Sequence, residues 1–499
     1  MHSGSTTDAT LTHVVRLLLA LGALAPLACG KPAPRGVVLV VIDTLRADHL
    51  GAYGYRRETS PVLDALAADG TLFSDAVAPS PWTLPSISTL MTSLYPSVHG
   101  ASEATQSRGR RGPDADLTSV LSRSHTTLAE ILQERGFRTA AFIQGAYPSA
   151  VFGMDQGFDR FADNETPGLR FDVEAVLRWL EDEAPERFLV YLHIGDVHSP
   201  YTVPFRAANC RRAAVDERAR ALCEEHERYQ AYDFSPGYRG RIDGSRENLL
   251  ELKRRGRRPR KADLQRLVDL YDRSIAYTDE WIGRLIDGLR GSGLYDETIV
   301  VVTSDHGEEF FDHGGLEHGR TYFEEMMRVP LIVRVPGMGR GVVVDTQVGL
   351  VDVLPTLLDL LEIEHSQALQ GRSVAAAIRG EEIEPHVYHG EASHLPRSGA
   401  IRGQGWKFVY SDGAADLLFD LRNDPAERRS LCPVQVARCR ALRDQASAWR
   451  RRAAERRTAL QLSGDELGEI DDTTRERLRA LGYLDDSQAG EPPGDGDAP

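Results

Sequence analysis

The chain is 499 residues long, and its 59 Lys and Arg stand against 74 Asp and Glu, a formal charge of −15 that argues against a broad nucleic-acid-binding surface. Apolar residues at 41% and charged residues at 27% exclude a disordered chain and match a folded soluble one. The length suits two or three domains, or one large α/β domain with a small appendage, and an anionic ligand in so acidic a chain needs the local positive charge that a bound cation and a few histidines supply.

The N-terminus carries His13 and Arg16, the apolar run Leu17 to Ala28, and then Cys29-Gly30-Lys31. The run is about 12 residues, shorter than the ~20 that span a bilayer, so residues 1–29 read as an export signal rather than a transmembrane helix. Ala28 before Cys29 resembles a bacterial lipoprotein signal, although Pro26 replaces the aliphatic residue usual there. The expectation is a periplasmic or cell-envelope protein with membrane attachment through lipidated Cys29, and simple secretion is the alternative.

Continuous β-branched runs follow at Val37 to Ile42, Phe137 to Ile143, Phe188 to Ile194, Ile299 to Thr303 and Leu331 to Val335, the pattern of strands buried on both faces. Between them, Thr127 to Arg135 and Leu264 to Leu289 carry apolar residues at helical spacing, with Gly136 as a helix stop. Alternating strand and helix predicts a central, largely parallel sheet flanked by helices, over about residues 36–380. Residues 202–261 break the rhythm with Arg, Glu and the basic run Lys253 to Arg258, and read as an insertion or lid with a solvated surface. Short strand-like pieces at 400–402, 406–410 and 417–421 predict a small C-terminal subdomain over 383–484, antiparallel with some helix, before a Gly, Pro and Asp rich tail at 485–499 expected to be disordered. After export, the pairs Cys210 with Cys223 and Cys432 with Cys439 suit two local disulfides, reduced cysteines being the alternative.

Chemistry is expected where strands end on acids, because ligands of open α/β sheets bind outside the carboxyl ends of the strands. The first strand ends at Asp43-Thr44 and a later one at Ser304-Asp305-His306-Gly307, which together offer oxygens and one imidazole to a divalent cation such as Mn²⁺, Ca²⁺, Mg²⁺ or Zn²⁺. Either acid alone reads equally well as a helix cap.

The motifs Val41-Ile42-Asp43-Thr44-Leu45-Arg46-Ala47-Asp48, Ser80-Pro81-Trp82-Thr83-Leu84-Pro85-Ser86 through Tyr95-Pro96, Asp155 to Asp159, His193 to Tyr201, Ser304 to Glu308, Arg328 to Ile332 and Leu418 to Glu427 occur in an order that resembles the sulfatase family of the alkaline phosphatase superfamily, over about residues 36–484. The resemblance implies that superfamily's α/β fold, one divalent metal, and ester hydrolysis. It also implies a metal set of Asp43, Thr44, Thr83, Asp305 and His306, with Thr83 as nucleophile, His198 serving the leaving oxygen and His318 contacting the transferred group. The family's Cys-x-Pro-x-Arg segment reads here Thr83-Leu84-Pro85-Ser86-Ile87, so no formylglycine can form, and Gln144-Gly145-Ala146 stands about where a Lys-x-His segment is expected. Thr44 replaces a second aspartate.

A cation lowers the pKa of a hydroxyl and orients it, which makes a threonine nucleophile chemically reasonable, while the alternative for Thr83 is a helix N-cap before Pro85. His193, inside a strand, and His313, in a Gly-rich loop, are weaker candidates, and Arg46 with Asp48 reads as a buried structural pair. The leading expectation is hydrolysis of phosphate mono- or diesters, with sulfate esters as the second reading. A phospho-substituent transferase acting on a cell-surface acceptor and a non-catalytic binder of an anionic glycan or lipid head group are the alternatives.

Overall fold

The computed structural model describes residue 1 and residues 34–102, 117–165, 168–202, 217–256, 258–392, 398–460, 467–481 and 483. The expected export signal beyond residue 1, Cys29, Cys210 and the expected C-terminal tail lie outside the described residues. No helix among the described residues is long and apolar enough to cross a membrane.

Residues 34–499 form one body around a nine-stranded sheet. Across the sheet the strands run in the order Val342–Val344, Thr71–Val77, Arg328–Arg334, Thr298–Thr303, Gly36–Ile42, Phe188–Ile194, Arg138–Ile143 and Arg160–Asp163, and Val348–Gly349 also pairs with Thr71–Val77. All point the same way except Arg328–Arg334, which is antiparallel to both of its neighbours. The largely parallel sheet expected from the β-branched runs is therefore present, with one reversed strand. Thr71–Val77 was not anticipated, because Thr71-Leu72-Phe73-Ser74-Asp75 breaks the continuous apolar pattern where the strand nears the sheet margin.

Strand alternation explains the three layers. Val37, Leu39 and Val41 of the central strand enter the core on one face, with the helices Thr83–Thr92, Leu128–Glu134 and Val353–Leu360. Val38, Val40 and Ile42 enter the core on the other, with Pro61–Asp69, Leu169–Glu183 and the 31-residue helix Lys261–Gly291. Burying a strand on both faces is what makes its sequence uniformly apolar. The Leu128–Glu134 helix starts with a full capping box between Thr127 and Glu130. Residues 217–256 of the expected insertion hold two helices, Glu217–Ala231 and Arg246–Arg255.

A separate antiparallel sheet runs Tyr388–Ala392, Ser398–Gly403, Trp406–Tyr410 and Leu417–Asp420 in order. Its Ile401, Phe408 and Leu418 pack with Cys439 and Ala446 of the helix Val436–Ala459, an arginine-rich segment that shows little helical amphipathicity in sequence. Cys432 and Cys439 are bridged, with Cα atoms 5.7 Å apart, and Cys223 is also disulfide-bonded.

Charge docks this sheet to the main one. Fully buried Lys407 pairs with Glu324 at 3.0 Å and with buried Glu427 at 2.7 Å, while Arg402 joins Glu324 at 2.6 Å to Asp75 at 2.7 Å on the main sheet. Burial alone would raise the Glu324 carboxyl, but Arg402 and Lys407 hold it far below the usual range. Removing one partner of a buried cluster strands the other charges, so Lys407→Met is expected to cost ~3–5 kcal/mol in urea unfolding, and a loss under ~1 kcal/mol would refute this docking role. Because the folded pKa of Glu324 is depressed, its contribution is full above the ordinary glutamate value of 4.5 and declines as pH falls below it, which an acid series of the same unfolding curves measures.

Candidate active site

Three adjacent strands deliver the site. Asp43 follows the central strand, Asp305 and His306 follow Thr298–Thr303, and His193 sits one residue before the end of Phe188–Ile194, in register with Val41. Asp43 and Val41 share side-chain parity, so all these groups emerge on the face that carries the Thr83–Thr92 helix. The loop after Asp43 is held tightly: Thr44 N donates to Asp305 Oδ1 at 3.3 Å, Leu45 N to Ser304 Oγ at 2.9 Å, and the Tyr271 hydroxyl to Thr44 O at 2.7 Å. Thr44 adopts φ +60, a strained conformation for a β-branched residue of the kind that clusters at functional sites.

One ligand atom each from Asp43, His193 and Asp305 lies within 4.8 Å of the other two, all buried. His306 Nε2 is 3.7 Å from Asp43 Oδ1 and 3.4 Å from Asp305 Oδ2, and His193 Nε2 is 3.6 Å from Asp43 Oδ2. Four of the atoms gathered here, Asp43 Oδ1, Thr44 Oγ1, Asp305 Oδ2 and His193 Nε2, are buried with no hydrogen-bond partner. An unsatisfied buried polar group costs ~1–3 kcal/mol, so a cluster of them fits an absent ligand better than a finished core. Burial and the charge of Asp43 push the Asp305 carboxyl up; Asp43, though buried, is held low by His198, His193 and His306. Two carboxylates and two imidazoles suit a hard or borderline divalent cation. Three of the expected ligands, Asp43, Asp305 and His306, are thus brought together.

The site adds His193, which its place inside a strand had made a weak candidate. Its Nδ1 lies 2.9 Å from the Tyr191 hydroxyl, an outer partner that orients the ring. The Nδ1 of His306 donates to the Gly307 carbonyl at 2.9 Å, which leaves Nε2 with its lone pair facing Thr83 Oγ1 at 3.2 Å and the two aspartates.

Thr83 is not a helix cap. It is the first residue of Thr83–Thr92, the N-cap is Trp82 with no side-chain cap bond, and the hydroxyl faces the carboxylate cluster instead. A helix N-terminus there favours an anion. His198 donates from Nδ1 to the Ser199 carbonyl, so Nε2 is the nitrogen that faces inward, 3.3 Å from His318 Nε2. His318 Nδ1 pairs with buried Glu308 at 3.0 Å. Burial, then His306 and His198, lowers the His318 imidazole, whereas burial raises Glu308 to about 7, so a proton shared by the two resides mainly on the carboxyl. With the proton on the Glu308 carboxyl, the neutral His318 ring accepts at Nδ1 and carries its hydrogen on Nε2, directed into the site.

The remaining expectations resolve as follows. Gln144, where Lys-x-His is expected, bonds Asp172 at 2.5 Å and Gly195 N at 3.0 Å, and Ile87 is buried in the core. His313 stacks on Phe323 and pairs with Glu325 at 2.6 Å. Arg46 is buried but its partner Asp48 is half exposed; the arginine also reaches Asp312 at 3.0 Å. The insertion is less remote than its basic run implied: Arg246 and Lys253 both pair with Glu317, next to His318, and Glu317 accepts from Ser199 at 2.6 Å.

A largely parallel sheet with carboxylates and imidazoles converging at its carboxyl edge defines an α/β protein with a candidate metal centre. The chain belongs to the sulfatase family and is an ester hydrolase: the family model described as Sulfatase matches residues 35–363, and the one described as N-sulphoglucosamine sulphohydrolase, C-terminal, matches 310–443. A choline-sulfatase of Rhizobium meliloti is 31% identical over 283 residues, 54% of this chain and 52% of that protein, so the chain spans about half of that relative. Arylsulfatase K of Homo sapiens is 25% identical over 456 residues, 82% of each chain. Among solved structures, the phosphonate monoester hydrolase of Agrobacterium radiobacter superposes with TM-score 0.59 at 22% identity, covering 88% of this chain and 100% of that one. A protein solved with its substrate D-glucosamine-2-N, 6-O-disulfate superposes with TM-score 0.62 at 20% identity, covering 87% and 99%.

If Tyr191 orients His193 toward a cation, Tyr191→Phe is expected to weaken binding of Mn²⁺ or Zn²⁺ by ~10–100-fold in calorimetric titration of the apoprotein. Unchanged affinity would show that the Tyr191 hydroxyl does not orient a metal ligand.

Proposed function

We propose that this chain hydrolyses phosphate mono- or diesters, and sulfate esters less readily, with Thr83 as the nucleophile. The observation that carries this reading is the Thr83 hydroxyl, free of any capping duty, 3.2 Å from His306 Nε2, which itself lies 3.7 Å from Asp43 and 3.4 Å from Asp305. Asp43, His193, Asp305 and His306 would hold one divalent cation, Thr44 Oγ1 being a further oxygen donor. Once bound, it would lower the pKa of the threonine hydroxyl and neutralise charge on the ester.

The chain's own groups supply the rest. With His306 Nε2 given to the cation, the place of Thr83 at the start of the Thr83–Thr92 helix would hold its oxygen for in-line attack. His318, held by Glu308, directs Nε2–H at an oxygen of the transferred group. His198 has its Nδ1 proton fixed on Ser199, so protonation places the second proton on Nε2, the position of a general acid for the leaving oxygen. Cleavage leaves the phosphoryl or sulfuryl group on Thr83 Oγ and releases the alcohol, and water then resolves that ester. An acceptor alcohol in place of water would make the same site a transferase.

Preference for phosphate rests on Thr83 in place of the formylglycine precursor and on Ile87 and Gln144, which fill the places of a sulfate-binding arginine and lysine with core and backbone contacts. The phosphonate monoester hydrolase among its structural neighbours agrees with a phosphorus substrate, and the relatives named as sulfatases keep sulfate esters as the second reading. An anionic glycan or lipid head group is the class of natural ester proposed, and residues 1–29 with Cys29 favour an exported, envelope-attached enzyme.

Aryl phosphate, bis-aryl phosphate, aryl phosphonate and aryl sulfate assayed with each metal test the reading. Thr83→Ala is expected to lose ~10⁴-fold or more in kcat, whereas Thr92→Ala should leave kcat within about twofold. Retention of the rate by Thr83→Ala removes the threonine mechanism. His198→Ala should lose ~10²–10⁴-fold on alkyl esters but far less on nitrophenyl esters, whose leaving group needs no proton; equal losses on both would deny it the acid role.

A further inference from the structure

The groups assigned to the ester are already engaged, by a residue from the far end of the chain. The Tyr483 hydroxyl lies 2.8 Å from His198 Nε2 and 2.8 Å from His318 Nε2. Burial first, and then the charge of Asp43, pushes this phenol well above its ordinary pKa, so it stays a neutral hydroxyl. The polarity is consistent: His318 Nε2–H donates to the phenol oxygen, and the phenol O–H donates to the His198 Nε2 lone pair left by the Nδ1 bond to Ser199. One oxygen thus satisfies both histidines at once, as an oxygen of a tetrahedral ester would.

We propose that the Tyr483 hydroxyl is an internal stand-in for an oxygen of the transferred group, so that the C-terminal strap competes with substrate for His198 and His318. Two oxygens cannot share one point, so an ester that makes these contacts must move the phenol out by about an oxygen diameter, ~3 Å.

The strap is built for a reversible fit. Leu467–Glu469 adds an antiparallel pairing to the three-residue strand Leu117–Ser119, Ile470 and Leu478 are buried in the core, and Arg477 reaches Asp163 at 3.2 Å. The last contact is the Tyr483 ring against Tyr147, centroids 4.7 Å apart. These are few interactions beside those of the central sheet, and segments of low local stability are the ones that open without global unfolding. The strap carries no group toward the carboxylates other than the phenol among the described residues, so its withdrawal leaves the ligand set intact.

This inference rests on the assignment of Thr83, His198 and His318 to the ester, and Tyr483→Phe tests it because the variant keeps the ring on Tyr147 and deletes only the hydroxyl. In Mn²⁺-loaded protein, inorganic phosphate is the probe, its inhibition constant read beside KM and kcat for an aryl phosphate. The phosphate inhibition constant and KM are expected to fall about tenfold, equivalent to ~1.4 kcal/mol, with kcat not reduced. Unchanged or weaker phosphate binding overturns the inference. A tenfold fall in kcat at constant KM also overturns it, because the phenol would then be a donor to the transition state. Failure of the underlying reading looks different, since Thr83→Ala would then turn over at the rate of the unaltered protein.

Discussion

Two buried carboxylates, from Asp43 and Asp305, face each other at the ends of neighbouring parallel strands with unsatisfied oxygens between them. Like charges confined in a low dielectric repel strongly, so the folded chain has to hold either a proton or a cation there. Around this constraint the neighbouring elements make sense. His193 and His306 bring nitrogen lone pairs, the left-handed Thr44 turns the loop so that its amide reaches Asp305, and the Thr83–Thr92 helix presents its N-terminus to the same place. Strand register aligns His193 with Val41, and the hydrogen bonds from Thr44 and Leu45 to Asp305 and Ser304 tie the two strand ends together.

Much of this was legible in the chain. The β-branched runs marked five of the nine strands of the main sheet because burial on both faces leaves an uninterrupted apolar signature, and a strand ending on Asp43 or on Asp305-His306 pointed to the carboxyl edge. Less visible was whatever depends on register or on long sequence separation. His193 looks like a packing histidine until its alignment with Val41 places it beside Asp43. The reversed direction of Arg328–Arg334 leaves no trace in an apolar run. Helix Val436–Ala459 escaped notice because its arginines obscure the apolar stripe, which is narrow: Cys439, Ala446 and Ala453. Tyr483 is invisible for a plainer reason, since nothing local to a tyrosine after a charged helix announces a partner more than 280 residues upstream.

The substitutions that set this chain apart from the formylglycine pattern also cohere physically. On the proposed reading Gln144 and Ile87 stand about where the family pattern has a lysine and an arginine, and both are absorbed into structure rather than left as gaps. The insertion brings cations back in another way, through Arg246 and Lys253 on Glu317, close to but not on the reacting groups. Burial, then Arg246 and Arg320, pushes Lys253 down to about 7, even though it pairs with Glu317. A phenol in the place of an ester oxygen gives the resting site a neutral occupant that matches its hydrogen-bonding demands.

The central claim is that Thr83 carries the transferred group in a covalent ester. Peptide mapping by mass spectrometry after acid quench of metal-loaded protein turning over an aryl phosphate tests it most directly, since phosphothreonine survives the quench. The account predicts a phosphoryl group on Thr83; finding it on any other residue would contradict the account.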